Sequence, residues 1–221
     1  MKNLITNMKK SYIIGAVVLL AVIGGFVVYE HEHGPEAKYQ KGLHYYKEKD
    51  YRRALALFEE AAEHNYAPAE EKLGYMYSNG LGTSMHLQKA AYWFKKAAKQ
   101  GNAAAEYNLG LMYLGGLGVS QHYSKAVYWF KKSAEQGYAK GENGLAGMYR
   151  YGKGVPRDYK KALYWVKKAA EQGYARAEYN LGHMYAKGLG VRQDYSKALY
   201  WYKKAAKKGF ASAKDKLKNL E

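Results

Sequence analysis

The sequence predicts an all-α fold: a right-handed α-solenoid of stacked antiparallel helix pairs, preceded by one N-terminal transmembrane helix. Three observations predict it, namely an internal repeat of 36 residues, a glycine pair at a fixed place in each copy, and an uncharged apolar run near the start. Trp93, Trp129, Trp165 and Trp201 are each 36 residues apart, and four large residues in one register are hard to obtain by chance. A unit of that length is one supersecondary element that buries its apolar face by stacking on its neighbours.

Composition limits the alternatives. The 221 residues carry 36 Lys+Arg against 19 Asp+Glu, a net charge of +17, and no Cys. The missing Cys removes disulfide scaffolds, thiolate zinc sites and cysteine nucleophiles. With 48% hydrophobic residues and 25 Tyr, the chain is too apolar and aromatic for a disordered basic tail.

In chain order, residues 1–11 form a basic tail expected on the cytoplasmic side, and residues 12–29 a transmembrane signal anchor. No charge interrupts the run from Ser11 to Tyr29, which as a helix approaches the roughly 30 Å of a bilayer core. Lys2, Lys9 and Lys10 precede it, while Glu30 and Glu32 follow, so the repeats are expected outside the cytoplasm, as in a single-pass inner membrane protein. A cleaved signal peptide followed by secretion is the rival. The run is long for such a segment, however, and lacks a small-x-small cleavage pattern.

Residues 30–34 read as a juxtamembrane linker, and residues 35–66 as a shorter, divergent unit without the glycine loop. Four full copies fill residues 67–210, starting at Ala67, Ala103, Ala139 and Ala175, and residues 211–221 read as a solvating C-terminal cap. Each copy predicts two helices. In the copy from Ala103, the first carries Tyr107, Leu109, Gly110 and Tyr113, and the second carries Tyr123, Ala126, Trp129, Phe130 and Ala134. Between them, pairs such as Gly116 and Gly118 supply positive φ after the first helix. Asp158 and Asp194 stand where a side-chain oxygen caps the second helix; His86 and His122 hold that place in earlier copies and should cap less well.

These residues resemble the Sel-one-like repeat (SLR) family, a relative of the tetratricopeptide repeat. The last copy, ARAEYNLGHMYAKGLGVRQDYSKALYWYKKAAKKGF from Ala175 to Phe210, carries the family's leading alanines, Y-x-LG, glycine loop, D-Y-x-KA, W-Y-x-KAA and closing Gly209. Two departures stand out. The first unit, with Gly42, Tyr46, Ala54 and Phe58, looks closer to a tetratricopeptide repeat, and Ala146 replaces the first-helix glycine in the copy from Ala139. The resemblance implies a protein-binding adaptor, in bacteria often exported or associated with the envelope, and it brings no catalytic residues.

No enzyme is legible in the residues themselves. The glycine pairs follow no strand and lack the G-x-G-x-x-G spacing, so they read as turns and not as a phosphate cradle. His31 and His33, alternating with Glu30 and Glu32, form the one histidine cluster, and no further ligands stand at fixed spacing, so no metal and no cofactor is expected. There is no Ser-His-Asp order with a nucleophile elbow. A basic, aromatic chain invites a nucleic-acid reading. The strict register of the aromatic residues argues for core packing instead, and no nucleic-acid partner is expected.

Charge is unevenly placed. Residues 101–221 hold 22 basic and 9 acidic residues, against 11 and 8 over residues 36–100. The lysine pairs beginning at Lys95, Lys131, Lys167 and Lys203 recur beside the tryptophans, and at least one of each pair is expected to face solvent on the convex side. The working surface is expected on the concave side, along the first helices, where positions 2, 5, 9 and 12 of the unit share a face with position 6 at its margin. From the third unit these include Tyr107 and Asn108; from the fourth, Lys140, Asn143 and Arg150; from the fifth, Arg176, Tyr179, Asn180 and His183. Asn amides can bond an extended backbone, and Lys or Arg can pair with carboxylates. The expected partner is therefore another protein or an acidic peptide segment. The alternative is salt-sensitive attachment to anionic envelope polymer or lipid through lysine-rich convex faces.

Overall fold

The computed structural model describes residues 34–218. The basic tail, the expected membrane span, the His31/His33 cluster and the last residues of the cap lie outside the described residues. Among the described residues, no helix is long and apolar enough to cross a membrane.

Eleven helices and no strand make up the described chain. They are α1 (Pro35–Lys47), α2 (Tyr51–Glu63), α3 (Ala67–Asn79), α4 (Leu87–Lys99), α5 (Ala103–Gly115), α6 (Tyr123–Glu135), α7 (Ala139–Tyr151), α8 (Tyr159–Glu171), α9 (Ala175–Lys187), α10 (Tyr195–Lys207) and α11 (Ala211–Lys218). Each helix packs on the next in sequence, and first helices also touch across repeats, α3 with α5 and α5 with α7. That pattern puts the odd-numbered helices in an inner row and the even-numbered ones outside.

The helix ends follow from their chemistry. Gly80, Gly116, Gly152 and Gly188 close the first helices in the left-handed region, at φ 64–68°. Asp158 and Asp194 cap the second helices, each accepting from a backbone N–H at 2.9 Å. Histidine does cap less well: His122 accepts at 3.4 Å through Nδ1, and the His86 side chain makes no capping bond. Asp50 and Asn102, which the pattern did not single out, cap α2 and α5.

Within each repeat a small residue on the first helix faces a large one on the second. A Cβ at Gly74 would lie 2.6 Å from the Phe94 ring, and one at Gly110 would lie 2.7 Å from Phe130. Repeat four solves the same contact differently. There Ala146 stands at the glycine position and Val166 at the aromatic one, both buried, so the volume added on one helix is removed from the other. A second exchange lies at its start, where Gly141 makes room for Ser133, whose Oγ donates to the Ala103 carbonyl at 2.7 Å.

The lysine pairs divide their labour. Lys95, Lys131, Lys167 and Lys203 are exposed. Lys96, Lys168 and Lys204 lie over the faces of Trp93, Trp165 and Trp201 at 5.1, 5.0 and 4.8 Å and turn inward to Glu70, Glu142 and Glu178 at 3.0, 3.6 and 3.9 Å. A purely solvated face therefore describes the first lysine of each pair and, in repeat three, Lys132 as well, which is also exposed. The tryptophans themselves are half-buried, packed on the core, with the exposed rings of Tyr92, Tyr128, Tyr164 and Tyr200 edge-on against them at 4.9–5.2 Å.

The glutamates in this arrangement form a buried ladder. Glu70, Glu106, Glu142 and Glu178 occupy the first turns of α3, α5, α7 and α9 and are at most 1% exposed. Gln100, Gln136 and Gln172 donate to the first three at 2.6, 2.7 and 2.8 Å, and the Lys208 ammonium donates to Glu178 at 2.6 Å. Burial pushes the Glu106 and Glu142 carboxyls up from their ordinary range.

Candidate binding groove

Among the described residues, eight of the nine candidates line three hollows on the inner row, and His183 stands at the edge of one of them. The largest, about 510 Å³, spans repeats three to five and is lined by Tyr107, Asn143, Arg176, Tyr179 and Asn180 together with residues that were not candidates. Asn108 and Lys140 line a separate hollow of about 290 Å³ toward repeat two, with Tyr46, Glu71 and Tyr75. Arg150 lines a small cleft of about 60 Å³ beside Val166, and His183 stands against Arg150. Thus five candidates converge on one cavity, two lie beyond it, and two pair at its edge.

Aromatic packing fixes the walls of the large cavity. On one side the Tyr107 ring is held by Phe130 and Tyr138, with centroids at 5.8 and 6.0 Å. On the other, Tyr179 is held by Tyr202 and Phe210 at 5.5 and 5.3 Å. Asn180 donates to the Asn143 Oδ1 at 2.8 Å, tying α9 to α7 across the floor and leaving the Asn143 amide N–H groups for another acceptor.

The electrostatics are one-sided. Arg176 and Lys153 line the cavity, and no carboxylate does. Desolvation by burial pushes the Tyr107 hydroxyl up, so it stays protonated and able to donate. The Arg150 guanidinium meets His183 Nδ1 at 3.3 Å; because a guanidinium can only donate, the proton of a neutral ring sits on Nε2. Burial, with Arg150, Lys187 and Lys216 nearby, lowers the His183 pKa and keeps the ring neutral. The other hollow is mixed, with Glu71 paired to Lys72 at 3.2 Å.

Sequence reasoning missed several lining residues. Lys153 comes from a glycine loop, Ser212 from the C-terminal helix and Phe210 from the residue before it. A register that runs along first helices alone does not reach them. Their signal was the order of the stack, since a loop or cap next to a groove position in space lies about one repeat away in sequence.

Comparison with known proteins settles the lineage. The Sel1 repeat pattern matches residues 20–66, 67–102, 103–138, 139–174 and 175–210. The chain belongs to the Sel1 repeat family. The first match is longer than the others and reaches back into the apolar run. Among solved structures, a Sel1 repeat protein from Oxalobacter formigenes is 37% identical, with a TM-score of 0.73 over 80% of this chain and 70% of that one. A protective antigen of uropathogenic Escherichia coli with an SLR fold is 31% identical, with a TM-score of 0.74 over 83% of this chain; the match spans only 40% of that longer protein. A putative Sel1 repeat protein from Klebsiella pneumoniae, 20% identical with a TM-score of 0.59 over 86% of this chain and 94% of that one, shares the fold. No curated protein matches the sequence. Sel1 repeat proteins are in general protein-interaction scaffolds.

Proposed function

We propose that this Sel1 repeat protein is a membrane-anchored adaptor of the bacterial envelope, whose inner groove over repeats three to five captures an acidic, carboxylate-bearing segment of another protein. The observation that carries this reading is the large cavity, where Tyr107, Asn143, Arg176, Tyr179 and Asn180 meet without a single lining carboxylate. On either side, Asn108 and Lys140 line a separate hollow of mixed charge that includes Glu71, and Arg150 with His183 stands at the cavity's edge. Anchoring rests on the uncharged run before Glu30 and the lysines preceding it, which favour a cytoplasmic N-terminus and extracytoplasmic repeats. Cleavage of that run would instead release the repeats.

The test is affinity capture of the full-length protein from its native membranes, in parent form and with Lys140→Glu, Arg150→Glu and Arg176→Glu combined. The parent is expected to retain a selective partner at physiological salt and the triple variant to lose it. Unchanged capture refutes the groove. Capture that persists in the variant but collapses with salt assigns the contact to the outer faces, where Lys95, Lys131, Lys167 and Lys203 are exposed.

A further inference from the structure

The large cavity lies where repeat four carries smaller residues than its neighbours, although only at Gly147 is the missing side chain unexplained by packing, since a Cβ at Gly144 would lie 2.9 Å from the Phe130 ring. Position 5 of the unit is Tyr107 in repeat three and Tyr179 in repeat five, but Asn143 between them. Position 9 is Leu111 and His183, but Gly147 between them. Position 6 is Asn108 and Asn180, but Gly144 between them. These omissions fall on one face of α7, and all three residues line the cavity.

Gly147 is the informative one. A mid-helix glycine destabilises the helix relative to alanine. Packing usually explains such a residue, as at Gly110, where a Cβ would strike Phe130. At Gly147 it does not, because an added Cβ would have nothing within 4 Å. Its φ is also ordinary, so no turn requires glycine there. No contact and no backbone angle requires this glycine, which faces open space in a cavity also lined by Tyr107, Leu111, Tyr179 and Phe210.

We infer that the hollow over Gly147, beside Asn143, is a side-chain pocket for the segment bound in the groove. It takes one bulky apolar residue, aromatic or leucine-like, of an extended peptide, whose adjacent carboxylate is held by Arg176. The aromatic walls suit an apolar ring. The cavity of about 510 Å³ exceeds one side chain and leaves room for flanking backbone against Asn143. A lining that holds Arg176 and Lys153 and no acid selects an acidic neighbour to that residue. This inference rests on the groove reading above and adds what the groove selects.

The experiment uses the full-length protein and short fluorescent peptides carrying a central phenylalanine between aspartates, with alanine in place of phenylalanine, or asparagine in place of aspartate, as comparisons. The parent peptide is expected to bind at least tenfold more tightly than either. Gly147→Leu is expected to lower its affinity at least tenfold while raising the unfolding temperature, because it fills space and removes a helix glycine. Should that variant fold poorly, Asn143→Tyr restores the residue of the flanking repeats and is expected to block the pocket equally. Arg176→Gln should weaken the aspartate peptide and leave the asparagine peptide unchanged. Equal binding of the phenylalanine and alanine peptides, unaltered binding by Gly147→Leu, or no binding of any peptide overturns the pocket. The groove itself is judged separately, by the charge-reversal capture, so that failure of one is distinguishable from failure of the other.

Discussion

Replacing Gly118 by alanine is expected to cost about 3 kcal/mol or more and to lower the unfolding temperature by about 6–12 °C. Two costs add. At φ 67° an L-residue pays about 1–2 kcal/mol for the left-handed conformation. The new methyl would also be driven into the Leu87 backbone at the start of α4, well inside van der Waals contact. Gly82, Gly154 and Gly190 meet Tyr51, Tyr123 and Tyr159 in the same way, so this glycine is the joint between consecutive repeats. Gly116→Ala is the control: its φ is 68°, but its nearest neighbour, the Gln121 side chain, lies at 3.4 Å, so only the conformational cost of about 1–2 kcal/mol is expected. Because a solenoid is stabilised by nearest-neighbour interfaces, Gly118→Ala should also split urea unfolding into two steps at the joint, which circular dichroism would resolve.

The glutamate ladder gives the second large effect. Glu142→Ala is expected to destabilise by about 2–4 kcal/mol, since it opens a cavity and strands the Gln172 donor. Glu142→Gln keeps the shape and an acceptor for Gln172 while removing the buried charge; because its partner Lys168 is 42% exposed and can return to water, the variant is expected to be at least as stable as the parent at neutral pH. The direction with pH follows from the raised carboxyl. A carboxyl whose pKa is higher folded than unfolded opposes folding when ionised; the penalty is full above the folded pKa and gone below the ordinary value of 4.5. The advantage of Glu142→Gln should therefore shrink as pH falls from neutral toward 4.5, and Glu106→Gln should behave likewise. The capping carboxylates Asp158 and Asp194 act oppositely. Hydrogen bonds from backbone N–H groups hold them below 3.8, so their support is lost only in stronger acid. Thermal melts across pH 3–8 check both signs.

Much of this architecture was legible because it is local. A helix end at Gly116, a cap at Asp194 and an apolar stripe through Leu109 are each decided within a few residues, and copying at 36 residues repeats the message. The ladder was not. Glu70, Glu106, Glu142 and Glu178 keep the same register as the tryptophans, yet a glutamate in a first turn ordinarily reads as a solvated partner of the helix dipole. Its burial follows only once Gln100 or Lys208, thirty residues on, is brought to it by the stack. The groove was half legible. Position within a helix identified Tyr107, Asn143, Arg176, Tyr179 and Asn180. It also suggested that Lys140 and Arg150 shared their site, whereas the stack distributes these two to separate hollows. The register placed Asn143, Gly144 and Gly147 on the groove face, but the hollow over Gly147 acquires meaning only between the walls of repeats three and five.

The central claim, that the inner face of repeats three to five is the working surface, is tested most directly by site-specific photo-crosslinking in the native cell. A photoreactive residue at Leu111, exposed on α5 in the groove, is compared with one at Tyr128, exposed on α6. Discrete partner adducts from position 111 and none from position 128 are predicted. Adducts from position 128 alone, or from both equally, would contradict the account and move function to the outer helices.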